Sequence, residues 1–116
     1  MEIKKNSGVI NLTPHRVIVQ SATNPEDGWI FEPSGSLPRL QTIEEEVEDT
    51  WGIPTVSRTL GAVQNLPDPI EGVKFIVSSL ILSACPDRND LIAPDTGETA
   101  ISNNGRIEAV TRFVRN

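Results

Sequence analysis

The sequence predicts an α+β fold in one domain spanning residues 1–116, mostly antiparallel sheet with one or two short helices packed on one side. A length of 116 residues suits one domain, since domains commonly run about 100 to 150 residues. Short runs rich in Val, Ile and Thr alternate with turn residues, which is typical of strands joined by tight connections. One run, Ser79–Cys85, has the length and the flanking Ser and Pro of a short helix.

The first third of the chain predicts three short strands separated by turns. Residues 8–19 consist of two short extended pieces around Thr13 and Pro14, and we expect an edge strand or a strand with a bend, because proline cannot donate to a strand ladder. Asn24–Gly28 has the residue types of a turn, so we expect the strand at residues 29–32 to form a hairpin with the strand before it. A second turn begins at Pro33 and leads into a strand over residues 37–42.

The acidic segment Ile43–Trp51 is ambiguous. Thr42 and Glu45 have the capping-box spacing of a helix start. The same residues are equally compatible with a charged strand or a mobile loop, and all three alternatives stay open. Beyond Gly52, the β-branched run Thr55–Val63 predicts a strand.

The last half of the chain predicts a loop, a strand, a helix and a hairpin. Pro67 and Pro69 make residues 65–72 a loop. Residues 73–78 are expected to form a buried strand that continues through a Ser cap into the helix, which Pro86 stops. The final hairpin, Thr99–Val114, turns at Asn103–Gly105, where Asn-Gly supplies the positive φ angles.

Strict alternation in the second strand of that hairpin places its side chains on two faces. Ile107, Ala109, Thr111 and Phe113 lie on one face of such a strand. The other face then carries Arg106 and Arg112, which we expect to emerge together.

Composition indicates a soluble globular protein, with 37% hydrophobic residues and a net charge of −6. The core is expected to be modest, so oligomer formation is a natural source of added stability. Its aromatic mass is expected to come from Trp29, Phe31, Trp51, Phe75 and Phe113.

The single cysteine, Cys85, predicts no internal disulfide and fits a reducing cytosol. The first residues lack the apolar core of a secretory signal, and no apolar run approaches the roughly 20 residues of a membrane helix. We therefore expect a cytoplasmic protein with no membrane association.

The residues of the chain do not predict an enzyme. His15 is the one histidine, so a Ser-His-Asp mechanism would depend on a side chain beside Pro14 in a strand bend. No second His or Cys pair offers a zinc site, and the acidic run Glu44–Asp49 lacks the alternation and central Gly of a calcium loop. No Gly-rich phosphate loop is present. The sequence thus predicts a noncatalytic protein without metal or cofactor.

The polar loops of the C-terminal quarter are the best candidates for recognition, since binding residues concentrate on loops. For Arg88, Asn89 and Asp90 two interpretations stay open: a loop held by its own hydrogen bonds, or a site where Arg meets phosphate and the others meet hydroxyls or a base edge. Asn104, Arg106 and Arg112 are further candidates. An acidic net charge argues against a partner of duplex nucleic acid, but leaves one small anionic ligand open.

A series of short segments spans the chain from about residue 9 to residue 114: Asn11–His15, Pro33–Gly35, Gly52–Pro54, Leu66–Pro69, Ile76–Ser78, Pro86–Leu91, Ala93–Thr96 and Asn104–Ile107. Together these segments resemble a family of small phage and prophage proteins, the first Thoeris anti-defence family.

The resemblance implies a sponge that sequesters cyclic ADP-ribose signals made by a host TIR-domain enzyme, without cleaving them. It also implies binding of cyclic oligonucleotides, assembly as a homo-oligomer (dimer or hexamer), and ligand contacts at Asn89 and Arg106. At Ser79 the family is expected to place a bulkier, aromatic contact, so this chain departs from the pattern there. The competing expectation is a phage structural or host-takeover interaction protein with no nucleotide ligand; a small hydrolase acting on the same nucleotide is a third.

Overall fold

A computed structural model describes residues 2–3 and 8–116. Eleven strands and one helix occur in this part of the chain: β1 (Glu2–Ile3), β2 (Val9–Asn11), β3 (Val17–Gln20), β4 (Asp27–Phe31), β5 (Arg39–Thr50), β6 (Ile53–Gln64), β7 (Lys74–Ile76), α1 (Ser79–Ala84), β8 (Leu91–Pro94), β9 (Ile101–Asn103), β10 (Arg106–Ala109) and β11 (Phe113–Val114).

The centre of the molecule is a four-stranded mixed sheet in the order β11-β8-β7-β2. Strands β2, β7 and β8 run parallel, whereas β11 is antiparallel to β8. The short helix α1 joins the parallel neighbours β7 and β8, as parallel strands require a crossover connection. A second sheet has the order β1-β4-β3, and it contains the predicted hairpin of β3 and β4.

Antiparallel pairs prevail among the described strands, which confirms the predicted α+β class with a short helix in its coarse form. The parallel core was not predicted. Helix α1 begins after the N-cap Ser78, whose side chain accepts a hydrogen bond from the Ile81 backbone N–H. Its buried residues are Ile81 and Leu82.

Two hydrophobic clusters make up the core. The first gathers residues of β7, β8 and α1 around Phe75, with Leu40 and Val63 packed against it. The second contains Phe31 and Val110, with Trp29 and Phe113 packed at its edge. The expectation that Trp51 adds to the core was wrong, because its side chain is 95% exposed.

The acidic segment belongs to a strand, not to a helix. Strands β5 and β6, twelve residues each, pair with one another in a two-stranded sheet. The turn between them places Trp51 at φ 57° and Gly52 at φ 81°. The radius of gyration is 17.5 Å, against about 13 Å for a compact domain of this length. We call residues 42–60 of this hairpin the arm.

The C-terminal hairpin forms where it was predicted, with Asn104 at φ 54° and Gly105 at φ 78° in its turn. Its second strand is interrupted, however, by an irregularity between Ile107 and Ala109. As a result Ala109 and Val110 are both buried, and β11 pairs with β8 instead. The expectation of one regular strand presenting Arg106 and Arg112 on a shared face was therefore wrong.

Candidate functional site

The loop that follows α1 is held by Arg88. Its Nε lies 2.8 Å from Asp90 Oδ1, and its Nη2 lies 2.8 Å from Asp90 Oδ2 and 2.9 Å from the Pro67 carbonyl oxygen. The hydrogen bond from Arg88 lowers the pKa of the Asp90 carboxyl. These contacts favour the interpretation of a loop held by its own hydrogen bonds, because two of the three guanidinium nitrogens of Arg88 already donate within the chain.

Asn89 and Ser79 lie near this loop in sequence, and both are exposed. The Asn89 carbonyl oxygen accepts a hydrogen bond of 3.2 Å from Lys74 Nζ, while the Asn89 side chain makes no hydrogen bond within the described residues. Ser79 is the first residue of α1. Neither side chain contributes a hydrogen bond to the fold within the described residues.

Arg112 is held by an ion pair with Asp95. Its Nε lies 2.6 Å from Asp95 Oδ2, and Asp95 Oδ1 accepts a 3.0 Å hydrogen bond from the Gly97 N–H. Hydrogen bonds from Arg112 and from Gly97 lower the pKa of Asp95. Gly97 thus serves a local turn.

Asn104 and Arg106 flank Gly105 in the turn of the C-terminal hairpin. Both side chains are exposed. Within the described part of the chain, the Arg106 guanidinium has no hydrogen bond and no ion pair. All of its donors are therefore open to a ligand or to water.

The structure does not gather the predicted site residues into one cluster within a subunit. The Arg88–Asp90 pair precedes β8, and the Arg112–Asp95 pair follows it. Because four strand residues span about 13 Å, these two ion pairs lie at opposite ends of the strand. Asn104 and Arg106 lie at the turn of a separate hairpin.

The seven predicted residues line neither of two concave sites on the described structure. A cavity of about 210 Å³ lies at the base of the arm, where it is lined by Leu12, Thr13, Pro14, Leu37, Pro38, Arg39, Ser78 and Ile81. A groove of about 130 Å³ is lined by Arg16, Val17, Ile18, Pro94, Thr96, Ile107, Glu108, Ala109 and Val110.

Arg39 is the functional candidate that sequence reasoning missed. It lines the larger cavity, it is exposed, and its guanidinium makes no ion pair with any described residue. Four other arginines are matched with carboxylates: Arg16 with Glu32, Arg58 with Glu44, Arg88 with Asp90 and Arg112 with Asp95. No signal in the sequence could have found it, because Arg16, Arg58 and Arg112 pair with carboxylates that are distant along the chain.

Asn11 fixes the wall of that cavity. Its Nδ2 donates to the carbonyl oxygens of His15 (2.8 Å) and Phe31 (2.9 Å). Its Oδ1 accepts from the Thr13 backbone N–H at 2.9 Å and from Thr13 Oγ1 at 2.7 Å. These four bonds hold the bend over residues 11–15, so the segment has a structural role in which His15 contributes its backbone.

Phe75 and Phe113 do not offer an open aromatic wall to a ligand. Phe75 is 1% exposed in the core, which excludes it from a ligand wall in this structure. Phe113 packs on Phe31, with ring centroids 6.0 Å apart. Among the described residues, the aromatic side chain with the most open surface is that of Trp51.

Comparisons of the chain with protein-family models, with curated proteins and with solved structures found no match. No group of three or more His, Cys, Asp or Glu side chains able to hold a metal ion occurs among the described residues. Over the same residues, no helix is long and apolar enough to cross a membrane.

Proposed function

We propose that this protein binds and sequesters cyclic ADP-ribose-type signalling nucleotides without cleaving them, and so blocks Thoeris immunity. The proposal rests on the resemblance to the first Thoeris anti-defence family. The observation that carries it in the structure is the exposed guanidinium of Arg106, which has no partner among the described residues and lies next to a turn whose backbone is open at Gly105. Guanidinium groups bind phosphate with two parallel hydrogen bonds.

Arg39 extends this argument to the larger cavity. In a chain of net charge −6, an arginine that has no carboxylate partner within residues 8–116 and lies beside a concave site is a natural anion contact. The ligand carries two phosphates, which suit two separate guanidinium groups. We therefore propose Arg39 as a ligand contact in addition to Arg106, Asn104 and Asn89. Arg88 and Arg112 are assigned a mainly structural role, in their ion pairs with Asp90 and Asp95.

The size of the cavities supports a site shared between subunits. Pockets for ligands of this class commonly measure about 300 to 1,000 Å³, whereas the larger cavity in one subunit measures about 210 Å³. A second subunit would complete the walls and would bring further polar groups together. A symmetric oligomer then presents identical sites.

Incubation with a signal made by a TIR-domain enzyme tests the proposal directly. The nucleotide should co-elute with the protein on a size-exclusion column and return unchanged after heat denaturation. A new product that accumulates with time would indicate a hydrolase, and a nucleotide that elutes separately from the protein would contradict binding.

Titration calorimetry with cyclic ADP-ribose isomers and cyclic trinucleotides assigns the residues. Arg106→Ala should weaken binding by at least about tenfold, since charged hydrogen bonds contribute about 1.5 to 3 kcal/mol. Arg115→Ala is the matched control, because Arg115 is also exposed and has no ion pair within the described structure. Equal losses of affinity in both variants would show that Arg106 acts only through its contribution to the net charge.

An interaction protein without a nucleotide ligand is the second candidate. The exposed arm favours it, because Trp51 at its tip is 95% exposed and tryptophan is enriched at protein interfaces. Copurification of a macromolecular partner, together with no nucleotide binding in calorimetry, would select this function.

A further inference from the structure

The arm carries most of the net charge of the chain. Five carboxylates and one arginine lie within residues 42–60, which gives the arm a net charge of −4 in a chain of net charge −6. Arg58 forms an ion pair with Glu44 across the two strands. The remaining carboxylates of the arm are exposed and have no ion pair among the described residues: Glu45, Glu46, Glu48 and Asp49. Within the described structure, four negative charges of the arm are thus left without a counter-charge.

These carboxylates follow one strand, and they point to both of its faces. Successive side chains of a strand alternate between faces, so Glu44 and Glu46 lie opposite to Glu45. Among the described strands β5 pairs with β6 alone. Its other edge is exposed and presents backbone N–H and C=O groups without a strand partner at every second residue. We call this edge, over residues 42–49, the acidic edge.

The charge of the acidic edge determines which partner fits it. A strand that adds to an edge places its side chains opposite those of the edge strand, where opposite charges are stabilising and like charges are destabilising. Strand β5 of a second copy would place carboxylates opposite carboxylates. Nucleic acids and anionic lipid surfaces carry the same sign of charge as the edge. A polypeptide rich in lysine or arginine is complementary to it.

Trp51 at the tip of the arm favours the same kind of partner. Its side chain is 95% exposed, and it follows the carboxylate of Asp49 closely in the chain. The face of an indole ring attracts the cations of lysine and arginine, and tryptophan is enriched at protein interfaces. The tip therefore offers a further contact to a basic segment that continues beyond the end of β5.

We propose that the acidic edge binds an extended, lysine- or arginine-rich segment of another protein. The segment adds to β5 as a strand, so that its backbone bonds to the open N–H and C=O groups and its basic side chains face the carboxylates. Because Glu44, Glu45 and Glu46 are consecutive and alternate between faces, consecutive basic residues match the edge on both faces. None of the proposed nucleotide contacts lies on the arm, so this interaction is separate from the proposed sponge function.

Two variants of equal net charge test the proposal. The arm variant combines Glu45→Gln, Glu46→Gln and Glu48→Gln. The control variant neutralises three exposed carboxylates that lie outside the arm and have no ion pair in the described structure: Glu26→Gln, Glu71→Gln and Glu98→Gln. Fluorescence anisotropy measures the Kd of each protein for a labelled, acetylated and amidated peptide of consecutive lysines flanked by threonines.

The arm variant should bind this peptide about tenfold more weakly than the wild type, because three opposite-charge pairs between strands are lost. The control variant should stay within about twofold of the wild type, since its carboxylates do not face the peptide. Equal losses of affinity in the two variants would show a general charge attraction and would overturn the proposal. So would a peptide that does not bind the wild type, whether the edge stays open or a second copy occupies it.

A peptide with methylated backbone nitrogens tests strand addition on the wild-type protein, so this measurement does not depend on the folding of a variant. The methylated peptide keeps every positive charge but cannot donate backbone hydrogen bonds to the edge. It should bind at least about tenfold more weakly than the parent peptide, and equal affinities would contradict pairing with β5. Nucleotide binding by the arm variant should equal that of the wild type in calorimetry, so a failure of this proposal is distinguishable from a failure of the sponge function.

Discussion

Asn11 satisfies every polar group of its side chain inside the protein. It is 2% exposed, and an asparagine amide offers two donors and two acceptor sites, all of which are used by Thr13, His15 and Phe31. A buried network of this kind fixes one backbone geometry, because any other would leave polar groups without partners. The bend that begins at Asn11 is thereby joined to the end of β4.

Asn11→Ala should lower the free energy of unfolding by about 2 to 4 kcal/mol. The substitution removes four hydrogen bonds and leaves the buried carbonyl oxygen of Phe31 and the part-buried one of His15 without this donor. Urea unfolding followed by circular dichroism measures the loss. Asn89→Ala is the control, because Asn89 is exposed, and its effect should stay within about 0.5 kcal/mol. A loss in Asn11→Ala no larger than in the control would refute the role of the network.

The Arg88–Asp90 pair should make stability depend on pH in the acidic range. The pKa of Asp90 is lower in the folded protein than the value of about 3.9 for an unfolded Asp. The stabilisation is therefore complete above about pH 4 and is lost as the pH falls through the folded pKa. Asp90→Asn should cost about 1 to 2 kcal/mol at pH 7, and this difference from the wild type should shrink toward pH 2.5.

Unfolding free energies measured from pH 7 to pH 2.5 check this expectation. Asp87→Asn is a matched control, since Asp87 is an exposed neighbour with no ion pair in the described structure. A constant difference between Asp90→Asn and the wild type across this range would show that the charge of Asp90 is irrelevant to stability.

In the arm, the secondary structure of the acidic segment is determined by the strand with which it pairs. Thr42 and Glu45 have the spacing of a helix start, but the segment pairs with the β-branched strand β6 over its length. The helix propensity of a segment is a weak determinant of its structure, and strand pairing of this extent overrides it. The sequence contained the complementary strand, Thr55–Val63, yet only the pairing shows that both strands extend away from the core.

Turns with special backbone geometry were the most predictable elements. Asn103–Gly105 was predicted as a tight turn from residue chemistry alone, and its positive φ angles are present. The continuation of that hairpin was not predictable, because after the irregularity at Ile107 the chain joins distant residues: Val110 forms a bridge with Val19 of β3 and belongs to the second core cluster. Individual site residues were also placed by contacts that sequence spacing does not encode, such as Arg88 with Pro67.

Gly105→Ala should destabilise the C-terminal hairpin through backbone conformation alone. Gly105 has φ 78°, and a Cβ at this position would meet no atom within 4 Å. An L-residue in this region costs about 1 to 2 kcal/mol, whereas Asn tolerates it better. Thermal unfolding should therefore rank wild type, Gly105→Asn and Gly105→Ala in decreasing stability. Equal stability of the Asn and Ala variants would show that backbone strain is not the cause.

At the scale of the molecule, the structure combines a small core with a long exposed arm. The core clusters gather around short strands, while the exposed Ile43, Val47, Ile53 and Leu60 lie on the arm. A two-stranded ribbon is marginally stable in water by itself. Assembly with a second copy would supply the missing burial, as the modest core predicted from composition suggested.

The last prediction follows from this coupling between assembly and folding. If folded copies associate, dilution favours the unfolded chain, so the melting temperature rises with protein concentration. We expect a clear rise for the wild type between 1 and 100 μM, on the order of several degrees for a domain of this size. Differential scanning fluorimetry at matched ionic strength measures these curves, and a concentration-independent wild type would show that the arm is stable without a second copy.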